Sequence, residues 1–144
     1  MTTAIAHPNI ALVKYWGKQN HILNYPASPS LSITLDSLIT KTKVSASTET
    51  RLLLNGKRNE DLKVAKFLDL FREKFKLPPV CVETDNNFPT GAGLASSASG
   101  FAALVTALNE NFQLGLSLSS LSEWARRGSA SAARSIFGGF VTLQ

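Results

Sequence analysis

Apolar and polar positions along the chain change period several times, and each change predicts an element. Residues 31–35 read Leu-Ser-Ile-Thr-Leu, the alternation of a half-buried strand. Residues 41–47 continue in the β style, and 51–54 run into Asn55-Gly56, a strong tight-turn signal. From 61 to 75 the spacing becomes helical, with Val64, Phe67, Leu68, Phe71 and Phe75 on one stripe. Pro78-Pro79 ends that helix, and residues 80–84 return to a strand pattern. A second helix is predicted from Phe101, Leu104, Val105, Leu108 and Phe112. A third covers 118–127, with Ser120 and Glu123 spaced as a capping box. Residues 4–16 are mainly apolar, with Lys14 and Tyr15 near the end, and can hold a strand. Strands lead and helices follow, which predicts an α+β domain.

Composition narrows the class. At 144 residues, 44% hydrophobic and 17% charged, the chain is one folded domain's worth and not a disordered tail. No apolar run approaches the roughly 18 residues of a membrane helix, and the N-terminus lacks the basic-then-apolar pattern of a signal peptide. Cys81 is the only cysteine, so no internal disulfide can form, which agrees with a reducing cytoplasm. Two separated histidines and one cysteine make no metal cluster, and His7 reads as a structural or loop residue. The net charge of +5 favours an anionic partner. The basic residues form no run with interleaved aromatics, and several lie on the 61–75 helix as a solvated face. A phosphorylated small molecule, nucleic acid and a membrane surface all suit that charge, with nucleic acid weakly supported; the expected partner is a small molecule, with neither nucleic acid nor membrane.

Candidate chemistry concentrates in residues 89–100, Pro-Thr-Gly-Ala-Gly-Leu-Ala-Ser-Ser-Ala-Ser-Gly, which run straight into the second helix. Backbone N–H groups at a helix start have no internal partners, and the helix dipole adds positive potential. Small side chains let an anion approach that backbone, so the loop suits phosphate. Serines acting only as N-caps explain the same letters. The loop is neither a P-loop nor the dinucleotide fingerprint, because Gly-Lys-Ser/Thr and Gly-x-Gly-x-x-Gly are both absent.

Two further constellations stand out. Residues 128–139 bring Ser129, Ser131 and Arg134 together between glycines. Arg134 can grip a carboxylate or phosphate through two parallel hydrogen bonds, with the hydroxyls donating to the same anion. A capped short helix with a surface arginine is the plain alternative. Lys14-Tyr15-Trp16-Gly17-Lys18 sets two cations and a phenol close together, and a strand edge is its plain alternative.

Taken together, the segments resemble the diphosphomevalonate decarboxylase family of the GHMP kinase superfamily. The resemblance rests on four stretches in the family's order: 6–18, Ala-His-Pro-Asn-Ile-Ala-Leu-Val-Lys-Tyr-Trp-Gly-Lys; 30–34, Ser-Leu-Ser-Ile-Thr; 87–98, Asn-Phe-Pro-Thr-Gly-Ala-Gly-Leu-Ala-Ser-Ser-Ala; and 128–139, Gly-Ser-Ala-Ser-Ala-Ala-Arg-Ser-Ile-Phe-Gly-Gly. It is weakest over about 45–82. It implies that residues 1–144 form the GHMP N-terminal domain, similar to the second domain of ribosomal protein S5. The implied reaction consumes ATP with Mg²⁺, phosphorylates the 3-hydroxyl of mevalonate 5-diphosphate, and releases phosphate and CO₂ to give isopentenyl diphosphate.

The resemblance also implies roles. Pro89, Gly91, Gly93, Leu94, Ala95, Ser96, Ser97 and Ser99 would cradle ATP, with Ser97 near phosphate or Mg²⁺. Tyr15, Lys18, Ser129 and Ser131 would hold the substrate diphosphate. Arg134 would pair with the carboxylate, Lys14 would lie at the reacting hydroxyl, and Asn9 would support its strand. Departures occur at Gln19, Asn20 and His21, where a basic and an acidic residue commonly follow the second lysine, and at Pro29, where a small polar residue is common. Family members run to about twice this length, and their C-terminal half supplies a catalytic aspartate. The 144 residues by themselves are expected to bind without catalysing. A non-catalytic fragment or assembly module, and a related 3-hydroxyl kinase that does not decarboxylate, are the other readings. A homodimer stays open.

Overall fold

The structure, a computed structural model, describes residues 2–13, 18–20, 22, 25–26, 30–89, 96–137 and 140–143. Its elements in chain order are β1 (Thr2–Ala6), β2 (Asn9–Val13), β3 (Lys18–Asn20), β4 (Tyr25–Pro26), β5 (Ser30–Thr34), β6 (Thr40–Ala46), β7 (Arg51–Leu54), β8 (Lys57–Asn59), α1 (Leu62–Phe75), β9 (Val80–Asn86), α2 (Ser96–Asn111), α3 (Leu118–Gly128), α4 (Ala132–Ser135) and β10 (Phe140–Leu143). Five strands form one sheet in the order β1-β6-β9-β7-β8, and β10-β5-β2 form a second. β3 and β4 pair as a ribbon. All neighbours are antiparallel except β7 and β9. A parallel pair needs a long crossover, and α1 lies within the connection that joins them. The architecture is α+β, as the order of patterns predicts.

The local signals act where they stand. Asn55 (φ 50°) and Gly56 (φ 79°) take the left-handed conformations that close the β7–β8 hairpin. Asp61 caps α1, its carboxylate accepting from the N–H groups of Lys63 and Val64. Lys76 turns left-handed (φ 53°) to end the helix just before the prolines. One expectation is extended and one needs correction. The N-terminal apolar stretch expected to hold a strand carries two: the chain breaks at His7-Pro8, and β1 and β2 join different sheets. Pro8 has no N–H to give a ladder, its carbonyl accepts from Leu35 N–H at 2.9 Å, and His7 Nδ1 lies 2.9 Å from the Leu38 carbonyl. His7 thus serves in a connection. The cap of α3 is Ser117, not Ser120. Ser117 is extended (ψ 162°) and its Oγ accepts from Ser120 N–H at 3.2 Å, so the helix starts before the expected box.

The core lies between the inner face of the five-stranded sheet and the helices. Val44, Val80 and Val82 face inward, and Phe67, Leu68, Phe71, Val105, Leu108 and Trp124 fill the space above them. Alternation on β6 puts Thr40, Thr42 and Val44 inside and Lys41 outside. Buried alanines at 98, 102, 103 and 107 bring α2 close to β1 and β6. That close packing sets the start of α2 over the sheet, where the serine-rich segment begins.

Candidate functional site

The inner face of the three-stranded sheet meets the segment around α4. Asn9 on β2 is buried and donates from Nδ2 to the Ser135 hydroxyl at 2.7 Å and to the Ser131 carbonyl at 3.1 Å. Its Oδ1 accepts from Arg134 Nε at 3.2 Å. Arg134 is 3% exposed, so it is not the surface arginine of the plain alternative. Burying a guanidinium is costly unless it is hydrogen-bonded, and Asn9 supplies part of that stabilisation across 125 residues of sequence. The amide thereby positions the arginine rather than only supporting its strand.

Serine hydroxyls then lead from this segment to the start of α2. Ser131 Oγ lies 3.2 Å from Ser129 Oγ, which lies 3.4 Å from Ser97 Oγ. Ser97 is exposed, near the N-terminus of a 16-residue helix with no acidic residue in its first turn. The fold thus brings Ser97, Ser129 and Ser131, separate in sequence, into one line of hydroxyl groups. Each hydroxyl can donate one hydrogen bond, and the helix N-terminus adds unpartnered N–H groups and positive potential. An oxyanion is the ligand chemistry that such a surface suits.

Ser99 plays a different local part. It is fully buried, with its hydroxyl 2.6 Å from Thr40 Oγ1. Thr40 spends its single proton on the Asn86 amide oxygen, so Ser99 donates to Thr40. This ties α2 to β6 and fixes the height of the helix start. Ser96 begins α2, Pro89 is exposed just after β9, and Lys18 begins β3. Lys14, Tyr15, Gly91, Gly93, Leu94 and Ala95 lie outside the described residues.

Beside the start of α2 lies a cavity of about 170 Å³. Leu52, Leu54, Val82, Phe101 and Leu104 make it mainly apolar, and Asp61, Lys63 and Ser97 add polar groups. Lys63 Nζ stands 5.7 Å from the centre of the Phe101 ring. Sequence reasoning missed this cavity because its lining is divided among β7, β8, α1, β9 and α2, which lie far apart in the chain. The apolar residues of 51–54, read as a strand, were the available signal.

Ser32, at the centre of the second sheet, is fully buried and its Oγ has no hydrogen-bond partner. A buried unsatisfied hydroxyl costs about 1–3 kcal/mol. Ser32→Ala is therefore expected to leave the melting temperature unchanged or raise it. A clear fall in thermal stability would show that the hydroxyl is satisfied in solution. Among the described residues no three His, Cys, Asp or Glu side chains gather to hold a metal.

The geometry agrees with what comparison finds. The diphosphomevalonate decarboxylase of Debaryomyces hansenii is 42% identical, the match covering 99% of this chain and 42% of that protein. The mevalonate diphosphate decarboxylase from Enterococcus faecalis superposes with a TM-score of 0.91 at 48% identity, over 97% of this chain and 46% of that one. The Staphylococcus aureus enzyme gives 0.92 at 44% identity, covering 97% and 44%. A further neighbour, solved as MDDEF in complex with MVAPP, AMPPCP and magnesium, gives 0.90 at 48% identity, covering 97% and 45%. The chain thus spans less than half the length of these relatives. A family model described as the diphosphomevalonate decarboxylase-like N-terminal domain matches residues 6–144, nearly the whole chain and every segment that builds the serine line, and the chain belongs to that family.

Proposed function

We propose that residues 1–144 form the GHMP-type N-terminal domain of an ATP-dependent diphosphomevalonate decarboxylase and supply its nucleotide and substrate-diphosphate surface. The observation that carries this reading is the line of Ser97, Ser129 and Ser131 hydroxyls ending beside buried Arg134. It links the phosphate-type loop to the substrate segment, as transfer of a phosphoryl group between two anionic ligands requires. The solved neighbour with MVAPP, AMPPCP and magnesium supports the same pairing of ligands.

In this reading residues 89–95 and the start of α2 at Ser96 and Ser97 hold the ATP phosphates, with buried Ser99 fixing that helix start instead of touching phosphate, and the apolar cavity beside Phe101 takes the base. Ser129, Ser131, Tyr15 and Lys18 hold the substrate diphosphate. Lys14 stands at the 3-hydroxyl. Arg134, oriented by Asn9, pairs with the carboxylate. Once the hydroxyl is phosphorylated, phosphate leaves and the bond to the carboxylate breaks. That electron pair forms the new double bond and CO₂ departs. The chain's task is to hold several anions together, which is positioning and electrostatics. For Mg²⁺ the described residues offer a serine hydroxyl, Ser97, and no carboxylate set. That fits an ion held mainly through nucleotide phosphates and water, where it would neutralise charge during transfer. The reading sets the protein in the cytoplasm with small-molecule partners, as a monomer or a homodimer.

Calorimetric titration of this chain with AMPPCP and mevalonate 5-diphosphate tests it. Binding of both is expected, and binding of neither would overturn the reading. Gly93→Val, which crowds the proposed phosphate loop, should weaken AMPPCP binding by about tenfold, near the lower end of a charge-assisted hydrogen bond. Its melting temperature should stay unchanged. Lost stability with unchanged affinity would instead make the loop a structural turn.

A further inference from the structure

Ser97 and Phe101 stand one helical turn apart on α2, and residues four apart share a helix face. Both meet the same short stretch at the end of α3. Ser97 Oγ lies 3.4 Å from Ser129 Oγ, and the Phe101 ring lies against Gly128, the residue before it. A Cβ on Gly128 would stand 2.1, 2.4 and 2.5 Å from three ring carbons, so the ring rests directly on this backbone.

The backbone at Ser129 has little freedom of its own. Its N–H donates to the Ala125 carbonyl at 3.0 Å, and its carbonyl accepts from Ala132 N–H at 2.9 Å. Those bonds hold the turn between α3 and α4 together, and neither reaches α2. At Ser129 the spacing from α2 is therefore set by the side chains between them. The two hydroxyls, 3.4 Å apart, lie beyond the usual O–H···O range of about 2.5–3.0 Å and engage too weakly to set it. The ring can. Phe101 is 4% exposed and Phe67 packs edge-on against it at 5.3 Å. A close-packed interior transmits displacement instead of absorbing it. The same ring lines the cavity beside α2.

We infer that Phe101 is a positioning residue: its ring is the spacer that fixes the distance between the start of α2 and the hydroxyls of Ser129 and Ser131. It thereby fixes the distance between the two anions that these surfaces hold. Phosphoryl transfer depends on that distance, since about 1 Å of misplacement can cost roughly a hundredfold in rate. Phe101 touches neither anion and acts through Ser129. A glycine at 128 fits this role, because any side chain there would push the ring away and change the gap. The inference rests on the proposed function for its ligands, and on the geometry of Phe101, Gly128 and Ser129 for the spacer.

A cysteine pair reads the spacing with no ligand present. In a Cys81→Ser background, Ser97→Cys and Ser129→Cys are combined, and the effective concentration of the two thiols is measured by titration against glutathione. Phe101→Leu is expected to change it by about tenfold or more, since alignment governs effective molarity. Phe101→Tyr keeps the ring and should keep the value. Phe71→Leu is the same truncation in the same core, fully buried with its ring 5.0 Å from that of Trp124, and should keep it too. An unchanged value in Phe101→Leu, or an equal change in Phe71→Leu, overturns the inference. Calorimetry with mevalonate 5-diphosphate reads the consequence in the chain that keeps its serines. Phe101→Leu should weaken binding by about tenfold, the scale of one hydrogen bond to a charged group. Added to Ser129→Ala it should cost nothing further, because the residue it acts through is gone. Additive losses would make Phe101 a packing residue and overturn the inference as well. Failure of the parent chain to bind mevalonate 5-diphosphate would overturn the functional reading, while the thiol pair still decides the spacer.

Discussion

Arg134→Ala is expected to weaken binding of mevalonate 5-diphosphate strongly while leaving AMPPCP affinity nearly intact. Cutting one partner of a buried, hydrogen-bonded charge pair costs about 2–5 kcal/mol, which is well over tenfold in affinity. The selectivity follows from position. Arg134 is buried beside Asn9 on the inner face of the second sheet, whereas the proposed nucleotide surface begins at Ser97, at the other end of the serine line. Arg134→Lys keeps the charge but loses the planar fork and the Nε–H that donates to Asn9, so it should recover only part of the loss. Calorimetry with each ligand, alongside a thermal melt, decides the matter. Equal losses for both ligands, or a loss that follows unfolding, would make Arg134 a packing residue.

Gly128→Ala should destabilise the domain by about 3 kcal/mol, near the upper end for overpacking a core. Helix propensity argues the other way: alanine is favoured over glycine by about 1 kcal/mol within a helix. Space decides between them. A Cβ on Gly128 would stand 2.1 Å from Cδ1 of Phe101 and 2.4 Å from its Cγ. Phe101 is 4% exposed, stacks edge-on against Phe67 at 5.3 Å, and lines the cavity beside α2. It cannot swing into solvent, so the strain spreads into the core and the cavity together. In a domain near 150 residues each kcal/mol shifts the melting temperature by about 2–4 °C. Differential scanning calorimetry should show a fall of that scale, with weaker AMPPCP binding in the folded fraction. An unchanged melting temperature would mean the ring has room to move.

Gly128 also shows why part of the site was legible in the sequence and part was not. Its neighbours Ser129, Ser131 and Arg134 stand within six residues, so their shared chemistry is visible as a local cluster. The reason for the glycine lies in a phenylalanine 27 positions away in the chain, and no local pattern encodes that contact. Asn9 is similar: the family resemblance implies a supporting role, but its bond to Arg134 exists only because β2 and α4 are neighbours in the fold.

Local physics by itself determined much of the architecture. A stripe of aromatics at helical spacing and an Asn-Gly turn each act within a few residues, and α1 and the β7–β8 hairpin stand where those signals predict. Backbone conformation and hydrogen bonding are decided over that range, so the sequence can be read there. Tertiary structure alone decided the rest. It split residues 2–13 between two sheets, since Pro8 interrupts the ladder and each half finds a different partner. It chose Ser117 over Ser120 as a cap and buried Arg134 against Asn9. It also joined Ser97 to Ser129, and it opened a cavity between five elements. These are contacts between segments distant in the chain. They depend on which faces the packed core leaves adjacent, and that is a property of the assembled layers and not of any window of residues.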